Sequence, residues 1–299
     1  MRVVKKSVLT FDKNCEPEAR VQPGELLVFK TQDCFAGQIT KESQLISELD
    51  LTKCNPAAGP VYVEGAEPGD VLAVDLLDIR IEERGFVCSM GEVGPLHEVS
   101  ELRTCVIPIE NETATYKGIQ WLVEPMVGVI GTAPAGEDAI PCGFAASHGG
   151  NLDSRVIKKG ARVYFPVRVP GALLQMGDLH ASMGDGEICG TGIEVSGEVT
   201  VRTELIKGFE LHWPVTETGQ SWYVNAVEAN YDAALLSASR ELARLVQRAY
   251  GWDATDCNIY FSIRGMVEIN QGIRPIHDEM FVLRMGVPKV PGKPPLVGG

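Results

Sequence analysis

Residues 198–206 read Glu-Val-Thr-Val-Arg-Thr-Glu-Leu-Ile, EVTVRTELI. Val199, Val201, Thr203 and Leu205 recur every second position, the period of an antiparallel strand that rests one face on a core. Further short runs on both sides are read as strands, at 6–11, 24–30, 105–110, 113–116, 119–122, 126–132, 210–214, 220–226 and 266–270. Residues 61–81, VYVEGAEPGDVLAVDLLDIRI, alternate around a turn at 67–70 and predict a hairpin. With 32 glycines and 18 prolines, many short strands and tight turns are favoured over long helices. Only 232–250 has convincing helical spacing, through Leu235, Leu242, Leu245, Val246 and Ala249, with Asn230 or Asp232 to cap its start and Gly251 its end. A shorter helix is expected at 255–262. Residues 41–51 predict a loop or short helix over the mouth of the fold, and 82–104 an irregular excursion in which His97 beside Glu98 is read as surface loop, with reach to the site as the weaker reading.

The expected class is therefore mainly β: antiparallel sandwich or barrel-like modules, one long helix in the C-terminal half and short helices. No low-complexity linker interrupts the chain, so 1–299 should form one unit, read as two intimately packed β modules of about 1–135 and 136–299. The Gly65-Ala66 and Gly69-Asp70 turn resembles Gly171-Ala172 with Gly177-Asp178, a hint of relatedness between them.

Charge narrows the function. A net charge of −13 supplies no basic stripe for phosphates and excludes nucleic acid as partner. No apolar run reaches the roughly 18 residues that cross a bilayer, and MRVVKKSVLTFDKN at the start lacks the apolar core of an export signal. A cytoplasmic protein without membrane contact is expected. The eight cysteines (15, 34, 54, 88, 105, 142, 189 and 257) are scattered without a CxxC pair, which favours free thiols over disulfides or a Cys-rich zinc site. Cys34 and Cys189 lie beside or near candidate site residues, where a nucleophilic role is the weaker reading.

Immediately before the decisive strand, residues 147–194 read SHGGNLDSRVIKKGARVYFPVRVPGALLQMGDLHASMGDGEICGTGIE. This stretch gathers His148, His180, Asp153, Asp178, Asp185 and Glu187 among glycines. Asp178 and His180 stand two residues apart, so on a strand end both point to one face and can share a metal ion. In His148-Gly149-Gly150-Asn151-Leu152-Asp153 the glycines permit positive φ and close approach, and the Asn151 carboxamide can orient a polar substrate. Gly184-Asp185-Gly186-Glu187 brings two further acids, one of which can stay free to carry protons. Asp33, at the end of an apolar strand, is a further candidate ligand as well as a candidate turn cap. Any one of these residues has an ordinary structural explanation, but burying so many unpaired acids together is costly and calls for a cation or for solvent. His212, in ELHWP, is expected to pack.

The segments VYVEGAEPGDVL, SHGGNLD, Gly177-Asp178-Leu179-His180-Ala181 and GDGEICGTGIE together resemble the acetamidase/formamidase family, from about residue 31 to the helix at 232 and again at the end of the chain. The resemblance implies a mainly β, homo-oligomeric (dimeric or tetrameric) amidohydrolase that cleaves small amides such as formamide and acetamide, with zinc in some members and calcium in some structures. The positions that match are Asp33, His148, Asn151, Asp153, Asp178, His180, Asp185 and Glu187. Met183 stands where the family pattern usually has Gln, which puts the substrate preference in question.

The chemistry supports such roles. Amide hydrolysis needs an activated water, a polarised carbonyl and a proton for the departing nitrogen; a zinc ion supplies the first two. His180 and Asp178 with Asp33 or Asp153 are the expected metal ligands. Glu187 is the expected general base, with Asp185 the second catalytic acid, and His148, Gly149, Gly150 and Asn151 are expected to bind substrate, Asn151 or nearby backbone N–H groups holding the oxyanion. The competing class is a non-catalytic, calcium-dependent β protein that binds a small ligand, since calcium prefers oxygen donors and carboxylates outnumber imidazoles here. A cupin would show closer histidines than this chain offers, and no Gly-x-Ser-x-Gly elbow supports a serine amidase.

Overall fold

The computed structural model describes residues 1–91, 93–272 and 280–299. Two large sheets dominate it. One has nine strands, in the order Arg2–Val4, Leu26–Thr31, Gly197–Ile206, Val71–Ile81, Arg162–Pro166, Val215–Glu217, Ser221–Glu228, Phe281–Pro288 and Met266–Gln271. The other is built around Leu174–His180, with Met126–Gly131 on one side and Glu194–Val195 and Ala57–Val63 also paired to it. Nearly all pairings are antiparallel. The strand Gly197–Ile206 pairs with both Leu26–Thr31 and Val71–Ile81, so strands from the two halves of the chain interleave in one sheet.

Period-two patterning decides what each face meets. In Val71–Ile81, Leu72, Val74 and Leu76 enter a core shared with Val61, Val127, Ile130, Leu174 and Leu179 of the second sheet. Val71 and Ala73 face the other way, into a second core with Ala234, Ala238, Leu242, Leu245 and Val246 of helix α1, Tyr231–Tyr250. The part of the nine-stranded sheet around Ser221–Glu228 and Phe281–Pro288 is thus buried on both faces, between a sheet and a helix. Asn230 caps α1 by accepting from the Ala233 N–H at 3.0 Å, and left-handed Gly251 ends it. The second helix, α2, spans Ala254–Arg264.

Three expectations are corrected. The strands Ala57–Val63 and Val71–Ile81 do not form a hairpin: the first pairs with Leu174–His180 and the second with Arg162–Pro166 and Gly197–Ile206, so the turn at 64–70 carries the chain from one sheet to the other. The excursion at 82–104 contains a strand, Arg84–Ser89, which pairs with Arg103–Glu110. Residues 210–214 form no strand; Glu241 of α1 instead accepts the His212 backbone N–H and meets its Nδ1, each at 2.9 Å, while Arg244 donates to the same carboxylate. Residues 41–51 do carry short 3-10 turns, at Ile46–Glu48 and Leu51–Lys53, beside the cavity described below.

Candidate active site

The strand Leu174–His180 is buried along its whole length and runs through the second sheet. Leu174 and Met176 face the inter-sheet core, and so does Leu179. That change of parity occurs at Asp178, whose φ of 54° lies in the left-handed region. Asp178 and His180 consequently project together away from the core, and Asp178 Oδ1 lies 3.6 Å from His180 Nε2.

The same nitrogen lies 3.2 Å from Glu194 Oε1, 3.8 Å from Glu187 Oε1 and 3.9 Å from Asp153 Oδ1. One imidazole thus sits among four carboxylates, and none of the five side chains is more than 4% exposed. Two more of these residues, Asp153 (φ 41°) and Glu187 (φ 45°), hold left-handed backbone. Such conformations cost a non-glycine residue about 1 kcal/mol or more and persist where the surroundings enforce them.

Space for the cluster comes from Gly128 on the neighbouring strand Met126–Gly131. A Cβ there would stand 2.6 Å from both Asp153 Oδ1 and Asp178 Oδ2. Gln271 closes the opposite side, its Nε2 donating to Asp153 Oδ2 at 2.7 Å and to Glu187 Oε2 at 3.2 Å. Asn270 donates to Leu152 O, and buried Arg284 donates to Asn270 Oδ1, Glu268 and Asp185. The end of the strand Met266–Gln271 therefore fixes both acid-bearing loops.

Burial dominates the electrostatics. It pushes the Asp153, Glu187 and Glu194 carboxyls up, Glu194 to about 8, with neighbouring acids adding to the effect. Burial pulls the His180 imidazole down, but Glu194 and Asp178 outweigh it and raise it well above its usual range. The cluster thus retains protons in place of countercharge, and it suits a cation on independent grounds. Asp153 Oδ1, Asp178 Oδ1 and Glu194 Oε2 are buried without a hydrogen-bond partner among the described residues. Donor atoms of Asp153, His180 and Glu187 all lie within 4.8 Å of one another, as do those of Cys34, Asp178 and Glu194. Two ligands at ~2.1 Å from a common ion stand at most about 4.2 Å apart, and the 3.6, 3.8 and 3.9 Å separations from His180 satisfy that limit.

Above the cluster opens a cavity of about 720 Å³, lined by Asp178, Glu187, Glu194, Asn151 and Gln271 and by Cys34, Phe35, Ile46, Leu51, Met90, Leu102, Phe144 and Met280. Asn151 presents a buried Oδ1 without a partner among the described residues. Gly149 and Gly150 lie in the strand Gly149–Asn151, paired on both sides; a Cβ on Gly150 would meet Phe144 O at 2.1 Å, so these glycines serve close strand packing. His148 is buried edge-on against Phe11 with ring centroids 4.8 Å apart.

The structure keeps two expected residues away from the cluster. Asp33 spends its carboxylate on the N–H groups of Phe35 and Gly37, as a turn cap does, and belongs to neither donor group. Asp185, half-exposed, pairs with Arg284 at 2.7 Å and Arg155 at 3.5 Å. Conversely, Glu194 and Gln271 belong to the centre without being among the candidate residues that the sequence motifs mark. An acid between Ile193 and Val195 at a strand end was the available signal for the first; Gln271 carried none. Burial first, then the charges of Glu194 and Asp178, push the Cys34 thiol up, opposite to what a nucleophilic thiolate requires.

Fold and site together define a mainly β protein whose central strand carries a buried acid–imidazole centre beneath a cavity. The chain belongs to the acetamidase/formamidase family, whose pattern matches residues 9–140 and 139–239. It is 30% identical to the formamidase of Methylophilus methylotrophus over 63% of this chain and 61% of that protein. It is 29% identical to the acetamidase of Mycolicibacterium smegmatis over 64% of this chain and 63% of that one. The chain therefore spans somewhat less than two thirds of these curated relatives. The crystal structure of an acetamidase from Bacillus halodurans matches with a TM-score of 0.90 at 36% identity, covering 96% of this chain and 97% of that one. Among the described residues no helix is long and apolar enough to cross a membrane.

Proposed function

We propose that this chain hydrolyses the C–N bond of carboxamides, releasing ammonia and a carboxylate, at the cluster of Asp153, Asp178, His180, Glu187 and Glu194. The observation that carries the reading is the set of four carboxylates within 3.9 Å of His180 Nε2 beneath an open cavity. Membership of a family whose named relatives include a formamidase and an acetamidase supports it.

Asp153, Asp178 and His180 would hold a divalent cation, zinc by preference and calcium as the alternative. Such an ion, when bound, polarises a carbonyl and acidifies water. Glu187 lines the cavity, and burial raises its carboxyl toward the range of a group that both takes and returns a proton. Its carboxylate removes a proton from the attacking water as the new C–O bond forms, then delivers that proton to the nitrogen as the C–N bond breaks. Gln271, bonded to Asp153 and Glu187, keeps the Glu187 carboxylate directed. The Asn151 carboxamide orients the substrate amide, and the buried strands exclude bulk water.

In this reading residues 1–299 act as one cytoplasmic unit that assembles with copies of itself. Exposed Ile259 and Ile263 on α2, with Val267 and Ile269 on the adjoining strand, support such an assembly. The test is ammonia release from formamide and acetamide by the protein as isolated, after chelation, and after zinc is returned. Release that is lost and then restored is expected; folded, metal-loaded protein that releases none would contradict the proposal.

A further inference from the structure

The cavity is far larger than the smallest amides require. Acetamide has four non-hydrogen atoms and displaces on the order of 100 Å³, taking ~30 Å³ as the share of each such atom by analogy with liquid water. The cavity offers about 720 Å³, a size at which pockets enclose ligands of many more atoms.

Its chemistry is divided as well. The charged lining residues, Asp178, Glu187 and Glu194, are gathered around His180, whereas Phe35, Ile46, Leu51, Met90, Leu102 and Phe144 supply apolar wall. Leu51 is 58% and Leu102 40% exposed, although both belong to this wall. Apolar side chains that face an open cavity gain by being covered.

We infer that the preferred substrate is the primary amide of a medium-length alkyl or arylalkyl carboxylic acid, its carboxamide at the acid cluster and its apolar chain along this wall. The inference rests on the amidase reading: ammonia is the leaving group, so the bulk belongs to the acyl side.

The experiment is kcat/KM for acetamide, butyramide, hexanamide and phenylacetamide, with calorimetric binding of acetamide and hexanamide to the same protein. Each buried methylene is expected to raise kcat/KM roughly fourfold, on the order of 10²-fold from acetamide to hexanamide. Leu51→Trp, which fills the wall, should lower the hexanamide-to-acetamide ratio at least about tenfold. A flat or falling series, with acetamide turned over normally, overturns the inference, as does an unchanged ratio in that variant. If no amide is turned over, calorimetry separates the two claims. Hexanamide bound more tightly than acetamide upholds the cavity assignment and removes the hydrolytic one; equal or absent binding overturns both.

Discussion

His180 and Glu194 are direct partners on adjacent antiparallel strands, with Nε2 and Oε1 3.2 Å apart and the two side chains 1% and 2% exposed. The pairing register itself therefore builds the centre: a cross-strand pair fixes the imidazole, and two loops bring Asp153 and Glu187 to the same nitrogen. Glu194 also accepts the Gly192 N–H at 2.8 Å, so its position is held from a second direction.

This pair makes the centre costly without a cation. The Glu194 carboxyl, at about 8, lies above its ordinary 4.5, so the folded state holds its proton longer than the unfolded state does. Stability then falls as pH rises from about 4.5 to 8. In chelator-treated protein, Glu194→Gln should flatten that dependence and raise the melting temperature at pH 8 by a few degrees, while lowering amide turnover. Parallel pH–stability curves for the two proteins would refute this.

Gly128 provides the second prediction. Gly128→Ala places a methyl group 2.6 Å from two carboxylate oxygens, where no real Cβ fits, so the acids must part. Metal content and turnover should fall by about two orders of magnitude or more, as expected when reacting groups shift by an ångström. Gly136→Ala, with nothing within 4 Å, is the matched control and should leave both unchanged.

His148 provides a pH test away from the acids. Burial, and then the charge of Arg168, pull its imidazole down from 6.5 to about 4. The unfolded chain binds the proton first, so stability falls as pH drops from 6.5 toward 4. An imidazole NMR resonance that does not titrate above pH 5 is expected, as is a smaller acid loss of stability in His148→Gln. A midpoint near 6.5 would contradict the burial argument.

Much of this was legible in the sequence because β periodicity is local. Residues 113–116 and 119–122 are strands as read, although their pairing with each other was not readable, and the helix at Tyr231–Tyr250 announces both its caps. Pairing partners are not local. The alternation in Ala57–Val63 and Val71–Ile81 is real, but period two does not say which strand lies alongside, and the turn between them switches sheets. At the site, Asp178 and His180 were readable from their spacing, and Asp153 and Glu187 from their glycine-rich loops. Asp33 and Asp185 carried the same composition signal, yet backbone N–H groups satisfy one and Arg284 the other. Gln271 reaches Asp153 across 118 positions of sequence, through a fold that no local pattern encodes.

The most direct test of the account is ammonia release by Glu187→Gln, measured beside its metal content and far-UV spectrum. The substitution keeps shape and removes the carboxylate that takes the water proton. With fold and metal retained, kcat should fall by about 10²- to 10⁴-fold, while substrate binding changes little. Normal turnover by that folded, metal-loaded variant would contradict the placement of the general base and, with it, the proposed chemistry of the cluster.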